Sequence, residues 1–133
     1  MKIKTLLCCF ICSIFTFLQA QDSSPLFFSE YAEGSGNNKY LEIYNSGSES
    51  VSLADYALAR VTNAPSVSGE YETWSDVFPD DASIDAGDVF VVAHASADAI
   101  IQAETDVTFS SLSNGDDGFA LVLGGPEDFV VVD

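Results

Sequence analysis

The residue types that could carry acid–base or metal chemistry are very unevenly represented in this chain. It has 21 aspartate and glutamate residues, but one histidine, His94, and four lysine or arginine residues. Hydrolysis with acid–base or metal chemistry needs a general base and usually a metal held by several histidines or carboxylates. One histidine among many acids specifies no such set, and the sequence has neither a Gly-Lys-Ser/Thr phosphate loop nor a His-Glu-x-x-His motif. We therefore predict that these residues are not an enzyme and that His94 is structural.

Two acidic turns are candidates for binding calcium. Residues 114–118 include Asp116 and Asp117, and a second corner contains Asp80 and Asp81. Calcium takes about six to eight oxygen ligands from carboxylates, carbonyls and amides on loops. Neither turn has the spacing of an EF-hand, and each is also explained as a solvated turn whose residues tolerate unusual backbone angles. Calcium at Asp116 and Asp117 is therefore a hypothesis, and no other cofactor is expected.

The densest cluster of polar residues lies on two predicted neighbouring strands and on the connection between them. Its members are Glu30, Glu33, Asn38, Lys39 and Glu42. The cluster is either a ligand-binding patch or a structural network in which Lys39 neutralises Glu30 or Glu42 while Asn38 ties the loop. We favour the structural network, because the chain has only four lysine and arginine residues.

Three aromatic residues are candidates for recognition of a ligand. Trp74, Tyr71 and Tyr44 could stack on sugars or on peptides. Packing in the core of a β-sandwich accounts for most aromatic residues, so this is the alternative interpretation.

Residues 1–20 have the pattern of a secretory signal peptide. Lys2 and Lys4 precede an apolar run at 6–18, and Ala20 is the small residue after which we expect cleavage. The apolar run is too short for a membrane-spanning helix. We therefore predict a mature chain that is secreted or held at the cell surface and that does not span a membrane. All three cysteines lie before Ala20, so the mature domain depends on a hydrophobic core and not on disulfides.

The mature chain is strongly acidic. It keeps Lys39 and Arg60 against 21 acidic residues, which gives a net charge of −19. Such a charge repels phosphate groups, whose binding depends on lysine and arginine, so direct binding of nucleic acid is not expected. Solubility, for example in a saline habitat, is the simple explanation of the acidity, and calcium binding is the more specific one.

Short apolar runs separated by glycine, asparagine, aspartate and serine predict an all-β sandwich or barrel. The predicted strands lie at 26–31, 40–44, 51–53, 56–61, 71–78, 89–93, 119–123 and 129–132. The runs at 89–93 and 119–123 are apolar on both faces, which predicts positions inside a sheet. At most one short helix is expected, near 96–103, with Ser96 as its N-cap. Residues 21–25 are predicted to be a disordered leader.

Several segments resemble a known family when they are taken in order. They are Phe-Ser-Glu-Tyr at 28–31, Leu-Glu-Ile-Tyr-Asn at 41–45, Val-x-Leu-x-x-Tyr-x-Leu at 51–58, Ala-Gly-Asp-Val-Phe-Val-Val-Ala-His at 86–94, and Asn-Gly-Asp-Asp-Gly-Phe-Ala-Leu at 114–121. Together they resemble the lamin tail domain, and more closely its bacterial branch in secreted nucleases and phosphoesterases.

The resemblance covers residues 26–133 and implies an immunoglobulin-like β-sandwich. It implies a non-catalytic accessory or spacer domain, whose partners are its own downstream domain or components of the cell surface and its surroundings. The family pattern continues past Asp133, so we expect the sequence to be a fragment that is truncated at this end. The alternative is a stand-alone exported β-sandwich that binds calcium or glycans.

Overall fold

A computed structural model gives the fold and describes residues 24–63, 67, 70–112 and 114–133. The predicted signal peptide and residues 21–23 lie outside the described residues. Ser24 and Pro25, the last two residues of the predicted leader, belong to the folded domain. The hydroxyls of Ser24 and Tyr56 share a hydrogen bond at 2.9 Å, and the Pro25 carbonyl accepts one from the Ser46 N–H at 3.1 Å. The prediction of disorder is therefore wrong for these two residues.

The described residues form ten short strands and one helical turn. The strands are β1 Leu26–Glu33, β2 Lys39–Asn45, β3 Val51–Ser52, β4 Tyr56–Val61, β5 Thr73–Ser75, β6 Ser83–Ile84, β7 Val89–Ala93, β8 Val107–Thr108, β9 Gly118–Gly125 and β10 Asp128–Val131. The helix, α1 Ala99–Gln102, lies between β7 and β8. No helix among these residues is long and apolar enough to cross a membrane.

The strands form two four-stranded sheets and a small ladder. The order is β1-β2-β7-β8 in the first sheet and β10-β9-β4-β5 in the second, while β3 pairs with β6. All strand pairs are antiparallel except β7 with β8. Both β7 and β9 lie inside a sheet, as their apolar sequences predicted. The prediction of an all-β, immunoglobulin-like sandwich with one short helix is confirmed.

A hydrophobic core lies between the two sheets. In β2, buried Leu41 and Ile43 alternate with Tyr40, Glu42 and Tyr44, because successive side chains of a strand point to opposite faces. The main buried cluster contains Leu26, Leu41, Ile43, Leu53, Tyr56, Leu58, Phe78, Ile84, Phe90, Val92, Leu112 and Leu121. A strand that alternates in this way presents its polar residues together on the outer face of the first sheet.

Asn45, at the end of β2, is fully buried. Its Nδ2 donates hydrogen bonds to the carbonyls of Glu49 at 2.8 Å and Ile84 at 2.9 Å, and its Oδ1 accepts one from the Gly47 N–H at 2.9 Å. Its backbone N–H and carbonyl bond to the turn at 85–88, at 3.0 and 2.9 Å. The Asn45 side chain therefore fixes the turn after β2 and the end of β6, and its backbone holds the approach to β7.

Asp133 connects the two sheets at one edge. Its carbonyl accepts a hydrogen bond from the Leu121 N–H in β9 at 2.7 Å. Its carboxylate accepts another from the Phe28 N–H in β1 at 2.8 Å. Asp133, through its backbone to β9 and its side chain to β1, thus holds the edge of the first sheet against the second.

We expect the substitution Asn45→Leu to lower the free energy of unfolding by about 3–5 kcal/mol, because it removes three side-chain hydrogen bonds, one of them in a fully buried contact with the Ile84 carbonyl. Chemical denaturation measures the loss. The matched control is Asn37→Leu, in the exposed turn before β2, for which we expect a change of about 0.5 kcal/mol or less. Similar losses in the two variants would contradict the role of Asn45.

Candidate functional site

The outer face of the first sheet and the α1 segment form a groove of about 300 Å³, which we call the acidic groove. It is lined by Glu30, Tyr40, Glu42, Val91, Ile100, Ile101 and Glu104. Strands β1, β2 and β7 supply its floor and one side, and α1 with the residues after it supplies the other side. The groove therefore combines three carboxylates with an apolar wall.

A β-bulge in β1 places Glu30 in the acidic groove. The pairing of β1 with β2 shifts between Phe28 and Glu30, so that Glu30 becomes the cross-strand partner of Glu42. Without the shift, strict alternation would put Ser29 on the outer face and Glu30 on the inner face. Bulges commonly redirect a side chain in this way near functional sites. In the next strand, Glu42 is paired in turn with Val91.

The two opposed glutamates each accept a hydrogen bond from a hydroxyl group. The Tyr40 hydroxyl donates to Glu30 Oε2 at 2.6 Å, and the Ser29 hydroxyl donates to Glu42 Oε1 at 2.7 Å. The hydrogen bond to Glu30 raises the pKa of Tyr40 above its ordinary value of 10.0, with further contributions from partial burial and from the charges of Glu30 and Glu42. Tyr40 is therefore held as a protonated donor.

Asn38 fastens the connection between β1 and β2 to the start of α1. Its Nδ2 donates to Asp98 Oδ2 at 2.7 Å, and its Oδ1 accepts from the Asp98 N–H at 2.8 Å. Asp98 is the N-cap of α1, so the prediction of Ser96 as N-cap is wrong. The hydrogen bonds between Asn38 and Asp98 could not be predicted from the sequence, because the two residues are far apart in the chain.

The predicted polar network is thus divided between different parts of the structure. Glu30 and Glu42 face each other in the acidic groove, whereas Asn38 holds α1. Lys39 is the cross-strand partner of Glu33 at the end of β1. The interpretation that Lys39 neutralises Glu30 or Glu42 stays a prediction.

The turn that contains Asp116 and Asp117 holds the chain segment after β4. Asp117 Oδ1 accepts a hydrogen bond from the Asn63 N–H at 2.8 Å. When the Asn63 amide is turned so that its nitrogen faces Asp116, that nitrogen donates to both Asp116 carboxylate oxygens at 3.3 and 3.1 Å. Among residues 24–63, 67, 70–112 and 114–133, no three histidine, cysteine or acidic side chains are grouped to hold a metal. Calcium at Asp116 and Asp117 stays a prediction.

His94 and Arg60 make hydrogen bonds that support the fold. His94 Nδ1 accepts one from the Ser96 N–H at 3.0 Å, which fixes the turn after β7. Arg60 Nη1 donates to the Ser111 carbonyl at 2.6 Å, and its Nε donates to the Thr73 hydroxyl at 3.3 Å. The contact with Ser96 gives His94 a structural role of the kind that was predicted.

The aromatic candidates pack against other aromatic rings. Trp74 and Tyr71 each meet Phe129 edge to face, with ring centroids 5.2 and 6.0 Å apart, and cover small residues of the second sheet. Tyr44 meets Phe27 in the same manner at 5.5 Å. A second cleft, of about 410 Å³, lies beside Trp74. Packing therefore explains these positions, and sugar binding stays a prediction.

Five residues that line the acidic groove, among them Ile100 and Glu104, were not among the predicted site residues. Ile100 is 80% exposed in the short helix α1. The only sign of it in the sequence is the pair Ile100-Ile101 within a polar segment. Its position beside Glu30 and Glu42 depends on the contact between Asn38 and the start of α1.

Comparison with protein-family models matches residues 19–130 to the lamin tail domain. This match extends over most of the chain and includes both sheets. The chain belongs to the lamin tail domain family. No match was found among curated proteins. The resemblance to the lamin tail domain family is confirmed, and the family's fold is the immunoglobulin-like β-sandwich described above. The closer resemblance to the bacterial branch in secreted nucleases stays a prediction.

For this lamin tail domain we expect Glu42→Gln to raise the free energy of unfolding by about 0.2–1 kcal/mol, because like charges directly opposed across two strands are destabilising. The glutamine Oε1 can still accept the Ser29 hydroxyl. Denaturation at low and high salt is the test, since screening should reduce the gain. Glu127→Gln, in the turn before β10, is the control with the same charge change. A less stable Glu42→Gln variant would contradict the prediction.

The raised pKa of Tyr40 predicts a pH dependence at the alkaline end. The folded state holds the phenol proton more tightly than the unfolded state, so this contribution to stability is complete below pH 10.0 and is lost as the pH rises through the raised pKa. Spectroscopic titration of tyrosinate, compared with Tyr40→Phe, identifies this group. Glu30→Gln should move its midpoint down towards the ordinary value. An unchanged midpoint would contradict the assigned cause.

Proposed function

We propose that this lamin tail domain is a non-catalytic binding module of an exported protein. The observation that carries the proposal is the acidic groove, in which a bulge and a helical turn bring three carboxylates and an apolar wall together. Its floor is a hydrogen-bonded sheet with a packed core beneath it. A concave surface with charged and apolar parts on such a support is suited to holding another molecule in one orientation.

The hydrogen bond that His94 accepts from Ser96 supports a role without catalysis. A general base needs a free lone pair within reach of the proton that it removes. The lone pair of His94 Nδ1 accepts the Ser96 N–H, so taking a proton from a substrate there would open the turn after β7. The Arg60 guanidinium is likewise engaged by Ser111 and Thr73.

We further propose that the chain is exported and that it lies beside a catalytic domain in a longer protein. The pattern at residues 1–20 supports secretion, or display at the cell surface, after cleavage at Ala20. The similarity of the β1–β2 region to secreted nucleases and phosphoesterases supports a place beside a catalytic domain of that kind. In this setting the module would position the catalytic domain through contacts with protein and not with nucleic acid, because the mature charge is −19. The stand-alone calcium- or glycan-binding protein remains the alternative.

A hydrolysis assay tests the absence of catalysis. The purified chain is incubated with double-stranded DNA and with bis(4-nitrophenyl) phosphate, each in the presence of magnesium, manganese or calcium. We expect no turnover above the buffer, and the same result for His94→Asn, whose amide oxygen can replace Nδ1 as the acceptor for Ser96. Turnover by the chain that His94→Asn abolishes would overturn the proposal.

A further inference from the structure

The α1 side of the acidic groove carries Ile100 and Ile101 together with Glu104, whereas Glu30 and Glu42 lie on the strands opposite. Ile100 is 80% exposed on one side, and Val91, on the floor, is only 7% exposed. Glu30 and Glu42 face these apolar residues from the neighbouring strands. An occupant that fills the groove therefore needs an apolar part to cover the isoleucine side and a cationic end to meet the carboxylates.

The carboxylates have room for further donors. An ionised carboxylate offers about four acceptor positions. Glu30 receives the Tyr40 hydroxyl and Glu42 receives the Ser29 hydroxyl, so both can accept more hydrogen bonds. The surrounding charge also favours a cation, since the mature chain carries −19. A cation that enters the groove would relieve the repulsion between two directly opposed glutamates.

The spacing of the carboxylates distinguishes between possible cations. Glu30 and Glu42 lie directly opposite on adjacent strands, a separation of about 5 Å between their Cβ atoms. A guanidinium group carries donors on more than one side of a plane and can contact two carboxylates at once, whereas an ammonium is a compact point charge. The apolar stem of arginine can lie along an apolar surface while its charged head stays near water.

We propose that the acidic groove binds an arginine side chain of a basic segment in a partner protein. The guanidinium lies between Glu30 and Glu42, and the apolar stem packs against Ile100 and Val91. Tyr40 also lines the groove and brings an aromatic ring to the same side of the sheet. This inference rests on the proposed function as a binding module and names the chemistry of its partner.

Fluorescence anisotropy tests the proposal with a fluorescein-labelled peptide, Gly-Arg-Leu-Arg-Gly, at about 0.15 M salt, where long-range attraction is screened. We expect the double variant Glu30→Gln/Glu42→Gln to bind about tenfold more weakly, as when charge-assisted hydrogen bonds are removed. The matched control, Asp80→Asn/Asp81→Asn, removes the same charge from an exposed corner and should change the affinity less than about twofold. Equal losses in the two variants, or no binding to the unaltered chain, would overturn the proposal.

A second pair of measurements tests the identity of the side chain and the apolar wall. The peptide Gly-Lys-Leu-Lys-Gly should bind several-fold more weakly than its arginine counterpart, and equal binding would overturn the assignment of a guanidinium. Ile100→Ser should weaken binding of the arginine peptide without any change of charge, and unchanged binding would overturn the apolar contact. Melting curves should show that all variants remain folded.

Failure of this inference can be distinguished from failure of the proposed function. Peptide binding that is insensitive to the groove, together with the absence of hydrolysis, overturns the arginine site alone. Hydrolysis that depends on His94 overturns the non-catalytic role, whatever the result with the peptides.

Discussion

The Asn45 side chain is completely buried and makes three side-chain hydrogen bonds, to Glu49, Ile84 and Gly47. A buried amide without hydrogen-bond partners would cost stability. The backbone around Asn45 can therefore adopt few other conformations. The side chain fixes the end of β2 against β6, and the Asn45 backbone bonds to the turn at 85–88, which leads into β7. Strands β2 and β7 pair with each other and carry the floor of the acidic groove, so the geometry of the groove depends on a residue on the opposite face.

The bulge in β1 is the feature that converts this scaffold into a candidate binding surface. It brings Glu30 directly opposite Glu42, an arrangement of like charges that costs stability. The hydroxyls of Tyr40 and Ser29 offset part of that cost while leaving acceptor positions open. A fold selected only for stability would favour an uncharged or oppositely charged pair at these positions. The repulsion between Glu30 and Glu42 is explained if a cation from a partner protein binds between them in the acidic groove.

The sequence predicted the parts of the fold that depend on local patterns. Apolar runs located the longer strands, and the family segments indicated the sandwich, whereas the two-residue strands β6 and β8 are too short to show a pattern. The acidic groove was predicted only in part, because alternation alone turns Glu30 inward and no local signal marks a bulge. The start of α1 was misplaced because its N-cap is set by Asn38, from a distant part of the chain. Long-range contacts of this kind are not visible in one sequence.

The most direct test of the central claim is to map amide chemical shifts by NMR while the arginine peptide is added to the isotope-labelled protein. We expect the shift changes to be confined to Glu30, Glu42, Val91 and the residues of α1, and to saturate with a single affinity. Changes spread over the acidic surface, including the turns that contain Asp80 and Asp116, would show that the net charge attracts the peptide. That result would contradict a specific site on the first sheet.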